Sequence, residues 1–393
     1  LKPFGSTPLT RGGLALSGFL PAAPMATQSK EAAPYSLAYP EPGHSFREHF
    51  SSLLLSGEWL VTLLELALLG GLTTAATLLP PEKVNVPSSM PLKELAALLW
   101  TKSIFTRVYN TYCEAVFFSF PALRIQPSRE HALKLKKDVC GRQQKELETI
   151  VRHDRLTLVS QFLLNVGLYY ALPGYYPAEG PVRPFPERLL RLLGNHYVMS
   201  FGMYWMHRSL HVVPWLWENV HSFHHWARHP LSRNTYQDHW LDNLCNAVVG
   251  HCWAQILCPL DRGTFWFSHL FRIMESLEKH SGVSCYFNVA HSLQRWLPFA
   301  QMPHHHDWHH EGHKGCNYTF SSIGGLWDCL FGTRKTGRAH ELSPQHITRR
   351  DARTGQESSR AKSLLDTPLA LLPVFGLGAA VVAKLRNPSF FRL

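Results

Sequence analysis

The sequence predicts an all-α integral membrane protein, in which transmembrane helical hairpins carry a cytosolic helical cap that contains histidine boxes. Three observations lead to this fold class. Apolar residues make up 45% of the 393 residues and charged residues only 17%, whereas an ordinary soluble domain has about 25% charged residues. Several apolar stretches approach the roughly 20 residues that cross a bilayer as a helix. Finally, 18 of the 24 histidines lie between His196 and His313.

Seven apolar stretches are candidate membrane helices. The first contains one acid, Glu65, whereas Lys102, Arg107 and Glu114 interrupt the second. In chain order the stretches are 59–79, 95–120, 156–172, 189–206, 241–260, 264–277 and 364–385. Because several are shorter than 20 residues, buried helices of a soluble protein are the alternative interpretation.

The distribution of basic residues orients these stretches. Residues 124–155 contain nine Lys or Arg and residues 334–362 contain eight, whereas the loop 173–186 contains only Arg183. The positive-inside rule therefore predicts that both basic segments face the cytosol. Stretches 156–172 and 189–206 then form one hairpin, stretches 241–260 and 264–277 form another, and the histidine clusters lie at the cytosolic ends. This topology accounts for the net charge of +11 without a nucleic-acid partner.

The histidines form four groups with the spacing of metal ligands. Residues at i and i+4 of a helix share a face, about 5–6 Å apart, and can bind one ion. One zinc needs about four ligands, so eight or nine convergent imidazoles can hold two metals. Imidazole suits Fe, Zn, Cu or Ni, and the metal stays open on ligand type alone. The groups are His207-x-x-x-His211, His221-x-x-His224-His225, His280, and His304-His305-His306-x-x-His309-His310.

These boxes resemble those of the membrane di-iron fatty acid hydroxylase/sterol desaturase superfamily. The branch of 4-methylsterol oxidase and cholesterol 25-hydroxylase is the most similar. The resemblance covers roughly residues 187–335. The segments that carry it are Phe271 to Gly282 with its H-S-G, the HHDWHH sequence from His305, Asn317-Tyr-Thr-Phe320, and Trp327 to Thr333.

The resemblance implies two iron ions, dioxygen, and electrons from NAD(P)H through a b-type cytochrome and its reductase. Second-tier ligand candidates are His239 and His305. The candidate ligands are His207, His211, His221, His224, His225, His280, His306, His309 and His310. Carboxylates that could orient their rings are Asp238, Asp242, Glu278, Asp307 and Asp328. The aromatic residues Trp205, Phe287 and Trp308 could line a substrate pocket, although core packing is the favoured role for them.

The expected function is the O2-dependent hydroxylation or oxidation of a sterol by a monooxygenase. Val283 and Ser284 follow the H-S-G where an aromatic residue is usual, and Trp240 replaces the usual proline after His239. A hydroxylase or desaturase of fatty acyl chains or sphingoid bases is therefore the first alternative. A non-enzymatic membrane protein that holds zinc is the second.

Four segments follow from this interpretation. Residues 1–45 form a disordered or targeting segment, and residues 46–186 the N-terminal membrane helices with a basic cytosolic loop. Residues 187–335 form the di-iron domain, and residues 336–393 a basic linker with a C-terminal apolar helix. We expect a location in the membrane of the endoplasmic reticulum. A plastid is the alternative, because the sequence up to Lys30 contains no acid, as in transit peptides.

Overall fold

A computed structural model describes residues 58–120, 123–125, 143–227, 230–310, 315–334 and 367–389. Within these ranges the chain is helical, with two isolated β-bridges and no strand. The predicted all-α class is therefore confirmed for the described residues. The predicted segment 1–45 and much of the two basic loops lie outside them.

Long helices precede the histidine boxes, and shorter elements follow. The first five helices are α1 (Glu58–Leu78), α2 (Pro81–Val84), α3 (Leu92–Ser119), α4 (Gln143–Ala171) and α5 (Phe185–Val212). The next elements are α6 (Pro214–Leu216), a π-helical turn (Trp217–His221), 3-10 turns (His224–Trp226 and Ser232–Tyr236), α7 (Trp240–Asn246), a π-helical segment (Ala247–Cys252) and α8 (Trp253–Leu257). The last are α9 (Arg262–Lys279), α10 (Val289–Gln294), α11 (Pro303–His310), α12 (Gly325–Leu330), a 3-10 turn (Pro368–Leu371) and α13 (Leu372–Arg386).

Helix α5 lies at the centre and contacts elements from both sides of the chain. The π-helical segment Ala247–Cys252, helices α7 and α8, and the C-terminal α13 all pack on it. Gly202 permits the closest of these contacts, because a Cβ at this position would lie 2.4 Å from the carbonyl oxygen of Val249. A side chain here would push the π-helical segment away from α5.

The N-terminal helices form a second layer. Helix α3 packs along α9, and α1 packs on α3 and α4. Met90, Leu95 and Tyr169 are fully buried between them. This layer places α3 against the 3-10 turn Ser232–Tyr236 and α4 against α7, which both follow the second histidine box.

The structure tests the predicted membrane helices in part. Among the described residues, two segments are long and apolar enough to cross a membrane, Trp59–Leu78 and Pro368–Arg386. The continuous helix expected over 241–260 is divided by the π-helical segment. Helix α4 packs mainly on α1 and α7 rather than along α5, so the hairpin of 156–172 with 189–206 stays a prediction.

Candidate metal centre

The structure brings all nine candidate ligands into two groups of buried or nearly buried rings. Within each group, one nitrogen of every ring lies within 4.8 Å of the corresponding nitrogen of every other ring. The group of five consists of His207, His211, His221, His225 and His309. The group of four consists of His224, His280, His306 and His310.

The two groups are adjacent because each H-x-x-H-H box contributes to both. His221 and His225 belong to the group of five, whereas His224 between them points to the group of four. The rings of His225 and His310, one from each group, stack with their centroids 4.5 Å apart. The arrangement therefore offers two neighbouring ion sites, which we call the histidine centre.

Local structure explains how the boxes reach this centre. His207 and His211 lie one turn apart near the C-terminal end of α5, so their rings share a face. Helix α9 ends at Lys279, and the chain turns at Gly282 with φ +70°, a conformation that glycine adopts readily. A Cβ at Gly282 would also lie 2.8 Å from the Phe117 ring. The glycine of the H-S-G is thus required by the backbone that presents His280.

Backbone carbonyls fix the tautomer of several rings. The Nδ1 of His207 lies 2.6 Å from the carbonyl oxygen of Tyr318, and the Nδ1 of His310 lies 3.0 Å from that of Ala227. The Nδ1 of His280 lies 2.9 Å from the carbonyl oxygen of Ser276. Because a carbonyl oxygen only accepts hydrogen bonds, each of these Nδ1 atoms carries the ring proton. Their Nε2 atoms then present lone pairs.

These lone pairs point at other imidazole nitrogens. The Nε2 of His207 lies 3.0 Å from the Nε2 of His221, whose own Nδ1 donates to Asp242 at 2.6 Å. Two lone pairs at this distance repel each other and cannot form a hydrogen bond. A cation between them removes the repulsion, and neutral imidazole is the form that binds metals.

Burial and neighbouring rings favour the neutral form of several of these histidines. Burial, reinforced by neighbouring imidazoles, holds the pKa of His225 well below its usual value. The same causes lower the pKa of His310. Among the described residues, the buried Nε2 of His225 and Nδ1 of His211 have no hydrogen-bond partner. The donor set of this chain therefore fits metal ions that favour nitrogen ligands.

Two of the five candidate carboxylates contact the histidine centre. Asp242 accepts from His221, as described above, and an Asp238 oxygen lies 2.7 Å from the Nδ1 of His224. Asp328 instead accepts from the backbone N–H of Tyr318 at 2.9 Å, and so supports the segment whose carbonyl holds His207.

The other two carboxylates lie further from the candidate ligands. Glu278 accepts from Nδ1 of His291 at 2.8 Å, a histidine outside both groups. Asp307 is buried and interacts electrostatically with His304.

The second-tier histidines and the aromatic candidates lie elsewhere. His239 caps α7 through its Nδ1, with its ring 4.3 Å from that of His153. The Nδ1 of His305 accepts from the Met302 N–H at 3.0 Å. Of the aromatic residues, Trp205 and Trp308 are buried, and Phe287 stacks on Phe120 at 5.0 Å.

A cavity of about 640 Å³ adjoins the histidine centre. His224, His280 and Phe320 form part of its wall, and none of the three aromatic candidates does. Sequence reasoning missed Phe320, whose ring stacks on His207 at 4.2 Å. It also missed Lys279, which is buried and donates to the Thr319 carbonyl at 2.7 Å. The cavity volume is in the range of sites for small organic ligands.

Comparison with known proteins identifies this part of the chain. Residues 193–333 match the family model for fatty acid hydroxylase. This match covers 141 of the 393 residues. All nine candidate ligands lie within the matched residues.

The relatives belong to the same superfamily. A very-long-chain aldehyde decarbonylase GL1-10 of Oryza sativa subsp. japonica is 31% identical over 176 residues, 45% of this chain and 54% of the relative. Methylsterol monooxygenase 1-3 of Arabidopsis thaliana is 27% identical over 172 residues, 44% of this chain and 57% of the relative. Methylsterol monooxygenase 1-1 of Arabidopsis thaliana is 22% identical over 298 residues, 72% of this chain and 97% of the relative.

The first two relatives are thus matched over little more than half of their length. Their names also differ in the reaction they describe, so they leave the substrate of this chain open. No solved structure matches the chain.

Proposed function

We propose that the nine histidines hold two iron ions and that the chain is a membrane-bound monooxygenase that uses dioxygen to hydroxylate or oxidise a sterol. The observation that carries the proposal is the pair of adjacent groups of imidazoles with opposed ring nitrogens. The methylsterol monooxygenases among the relatives support the sterol class. Electrons come from NAD(P)H through a b-type cytochrome and its reductase.

The chain prepares the site in three ways. The carbonyl and carboxylate partners orient the rings before any metal binds. Burial of the histidines excludes water, and the adjoining cavity gives a lipid access to His224 and His280. Iron held here supplies the dioxygen chemistry that breaks an unactivated C–H bond, which protein side chains cannot do by themselves.

The site is proposed to belong to an integral membrane protein of the endoplasmic reticulum. The two apolar segments Trp59–Leu78 and Pro368–Arg386 support this proposal, as only 11% and 17% of them is buried inside the protein. The proposal includes the division of the chain into segments 1–45, 46–186, 187–335 and 336–393.

Oxidation of a long-chain substrate is the second candidate. The 31% identical aldehyde decarbonylase favours it, because that relative's name describes a very-long-chain aldehyde. Analysis of products separates the candidates: the first predicts an oxidised sterol, the second an altered acyl or sphingoid chain.

The test expresses the full chain in a cell deficient in sterol oxidase, followed by metal analysis of the purified protein and lipid analysis of the cells. We expect two iron ions per chain, oxygen consumption that depends on a reductant, and a new oxidised sterol. A protein that contains zinc and consumes no oxygen would overturn the proposal. Iron with products only among the acyl lipids would favour the second candidate.

A further inference from the structure

Three charged residues, Lys102, Arg107 and Glu114, interrupt the apolar sequence of α3. Of these three, Lys102 has no side-chain partner among the described residues. Arg107 forms an ion pair with Glu65, and Glu114 pairs with Arg233 at 2.7 Å. Lys102 makes no side-chain hydrogen bond or ion pair with a described residue, yet it lines the cavity. An ionisable residue within an apolar helix that faces a cavity is typical of a path for substrates or ions.

A second cation borders the same cavity. Arg272 on α9 is 2% exposed and forms an ion pair with Glu275. Among the described residues, its Nε and Nη2 donors have no hydrogen-bond partner. A buried donor without an acceptor costs about 1–3 kcal/mol, and more when it is charged. Both atoms are closed off from the cavity itself, so Arg272 adds positive charge to this wall but no free hydrogen-bond donor at these atoms.

Two histidines complete this end of the cavity. His251 and His269 have ring centroids 6.0 Å apart, and both interact electrostatically with Lys102. Leucines and phenylalanine from the N-terminal helices form an apolar part of the wall. These residues are Leu68, Leu99, Phe162, Leu164 and Leu168. The cavity thus joins a cationic end to an apolar wall suited to hydrocarbon.

Helix geometry separates the cationic end from the histidine centre. Arg272 lies eight residues before His280, which is about 12 Å along α9. A ligand that reached both ends would therefore have its polar group about 12 Å from the histidines.

We propose that Lys102 binds the oxygen-bearing head group, a carboxylate or a hydroxyl, of the lipid that the histidine centre oxidises. This inference rests on the proposed function, in which the other end of the same lipid is oxidised at the histidine centre. Its consequence is that the oxidised carbon is remote from the head group. Such a geometry favours hydroxylation of a distant sterol carbon or of a mid-chain carbon over reaction beside the polar group.

The experiment measures equilibrium binding to the purified full chain with two matched pairs of radiolabelled probes. Hexadecanoic acid and hexadecane differ in the head group of a chain, and cholesterol and cholestane differ in the hydroxyl of a sterol. The variant is Lys102→Met, with Lys102→Arg to restore the cation. The matched control is Lys93→Met, because Lys93 is exposed on the same helix.

We expect Lys102→Met to weaken binding of the acid or of cholesterol by about tenfold or more, the effect of losing a hydrogen bond to a charged group. Lys102→Arg and Lys93→Met should bind as the wild type does, and the probes without a head group should bind all proteins equally. Equal affinity of the wild type and Lys102→Met for both head-bearing probes would overturn the proposal, as would no binding to the wild type.

An effect of Lys102→Met on hexadecanoic acid alone identifies a fatty acid as the ligand. An effect on cholesterol alone identifies a sterol. The iron content of the same samples is measured independently of binding. A head-group effect in a protein without iron would leave this binding site standing and remove the proposed oxidation. Two iron ions per chain without a head-group effect would leave the proposed oxidation standing and remove this binding site.

Discussion

Helices α1 and α5 distribute polarity in opposite ways. In α1 the side chains of Leu63 and Leu66 are 53% and 45% exposed. In α5 His207, Arg208 and Ser209 are all fully buried. In water the hydrophobic effect favours the reverse distribution, with leucine inside and charge outside. The proposed contact with lipid would account for the exposed leucines of α1, and the ions proposed for the histidine centre would account for the burial of His207.

The largest expected effect comes from removing a ring of the inner region. His224→Ala deletes one of four nitrogens in its group, so we expect loss of metal and a fall in lipid oxidation of more than about 100-fold. Metal analysis and product formation measure the two effects. His239→Ala is the matched control, because His239 lies outside both groups. Near-normal turnover of His224→Ala would contradict the ligand assignment, provided that the protein still accumulates in membranes.

The next effect concerns the outer helix. Leu66→Arg places a charge near the middle of α1, which costs about 2.5–3.5 kcal/mol if that surface faces the bilayer core. We expect a smaller fraction of the chain to resist alkaline extraction from membranes. Leu66→Ala removes the same side chain without adding charge and should remain in the membrane. If Leu66→Arg stays membrane-bound to the same extent as Leu66→Ala, then α1 does not face lipid at this position.

A smaller effect tests how the protein orients the rings of the inner region. Asp242→Asn keeps an acceptor for His221 but removes the negative charge that favours its proton at Nδ1. Replacing such a partner typically lowers metal affinity about 10–100-fold. Competition with a chelator measures the affinity, and the exposed Glu218→Gln on the neighbouring turn serves as control. Unchanged affinity in Asp242→Asn would reduce its role to packing.

The clustering of the histidines predicted that their rings converge, and for one pair the reason is helical spacing, which places i and i+4 residues on one face. His207 and His211 follow this rule directly. The split of each H-x-x-H-H box between two groups depends on tertiary packing that spacing does not determine. The carbonyls of Tyr318, Ala227 and Ser276 were unpredictable for a different reason, since every residue has a carbonyl and only the fold selects which one meets a ring.

Hydropathy predicted where the apolar segments lie better than it predicted which segments pack against one another. The stretch 95–120 corresponds closely to α3, whereas 241–260 is interrupted by a π-helical segment beside Gly202. Apolar composition measures the tendency of a segment to leave water, but it does not determine which neighbour the segment packs on. The role of Lys102 also depends on this packing, because only the structure reveals that Arg107 and Glu114 have partners.

The smallest expected effect lies where the two regions meet. The ring of His153 on α4 lies 5.0 Å from the ring of Phe223, the residue before His224, at a tilt of 49°. Burial, with the nearby positive charges of His239 and Arg152, lowers the pKa of His153 to about 4 from an ordinary 6.5. Between these values the unfolded chain binds the proton and the folded chain does not. His153 therefore reduces stability progressively as the pH falls below 6.5, and this loss is complete below about 4.

The variant His153→Phe keeps an aromatic ring beside Phe223 and removes the titratable imidazole. The Nδ1 of His153 has no hydrogen-bond partner among the described residues, so the substitution breaks no hydrogen bond at that atom. We expect the denaturant midpoint in detergent to fall less between pH 7.5 and pH 5 (about two and a half pH units) in His153→Phe than in the wild type. Parallel pH profiles for the two proteins would mean that His153 is protonated equally in the folded and unfolded chains, and that the junction between the layers is open to water.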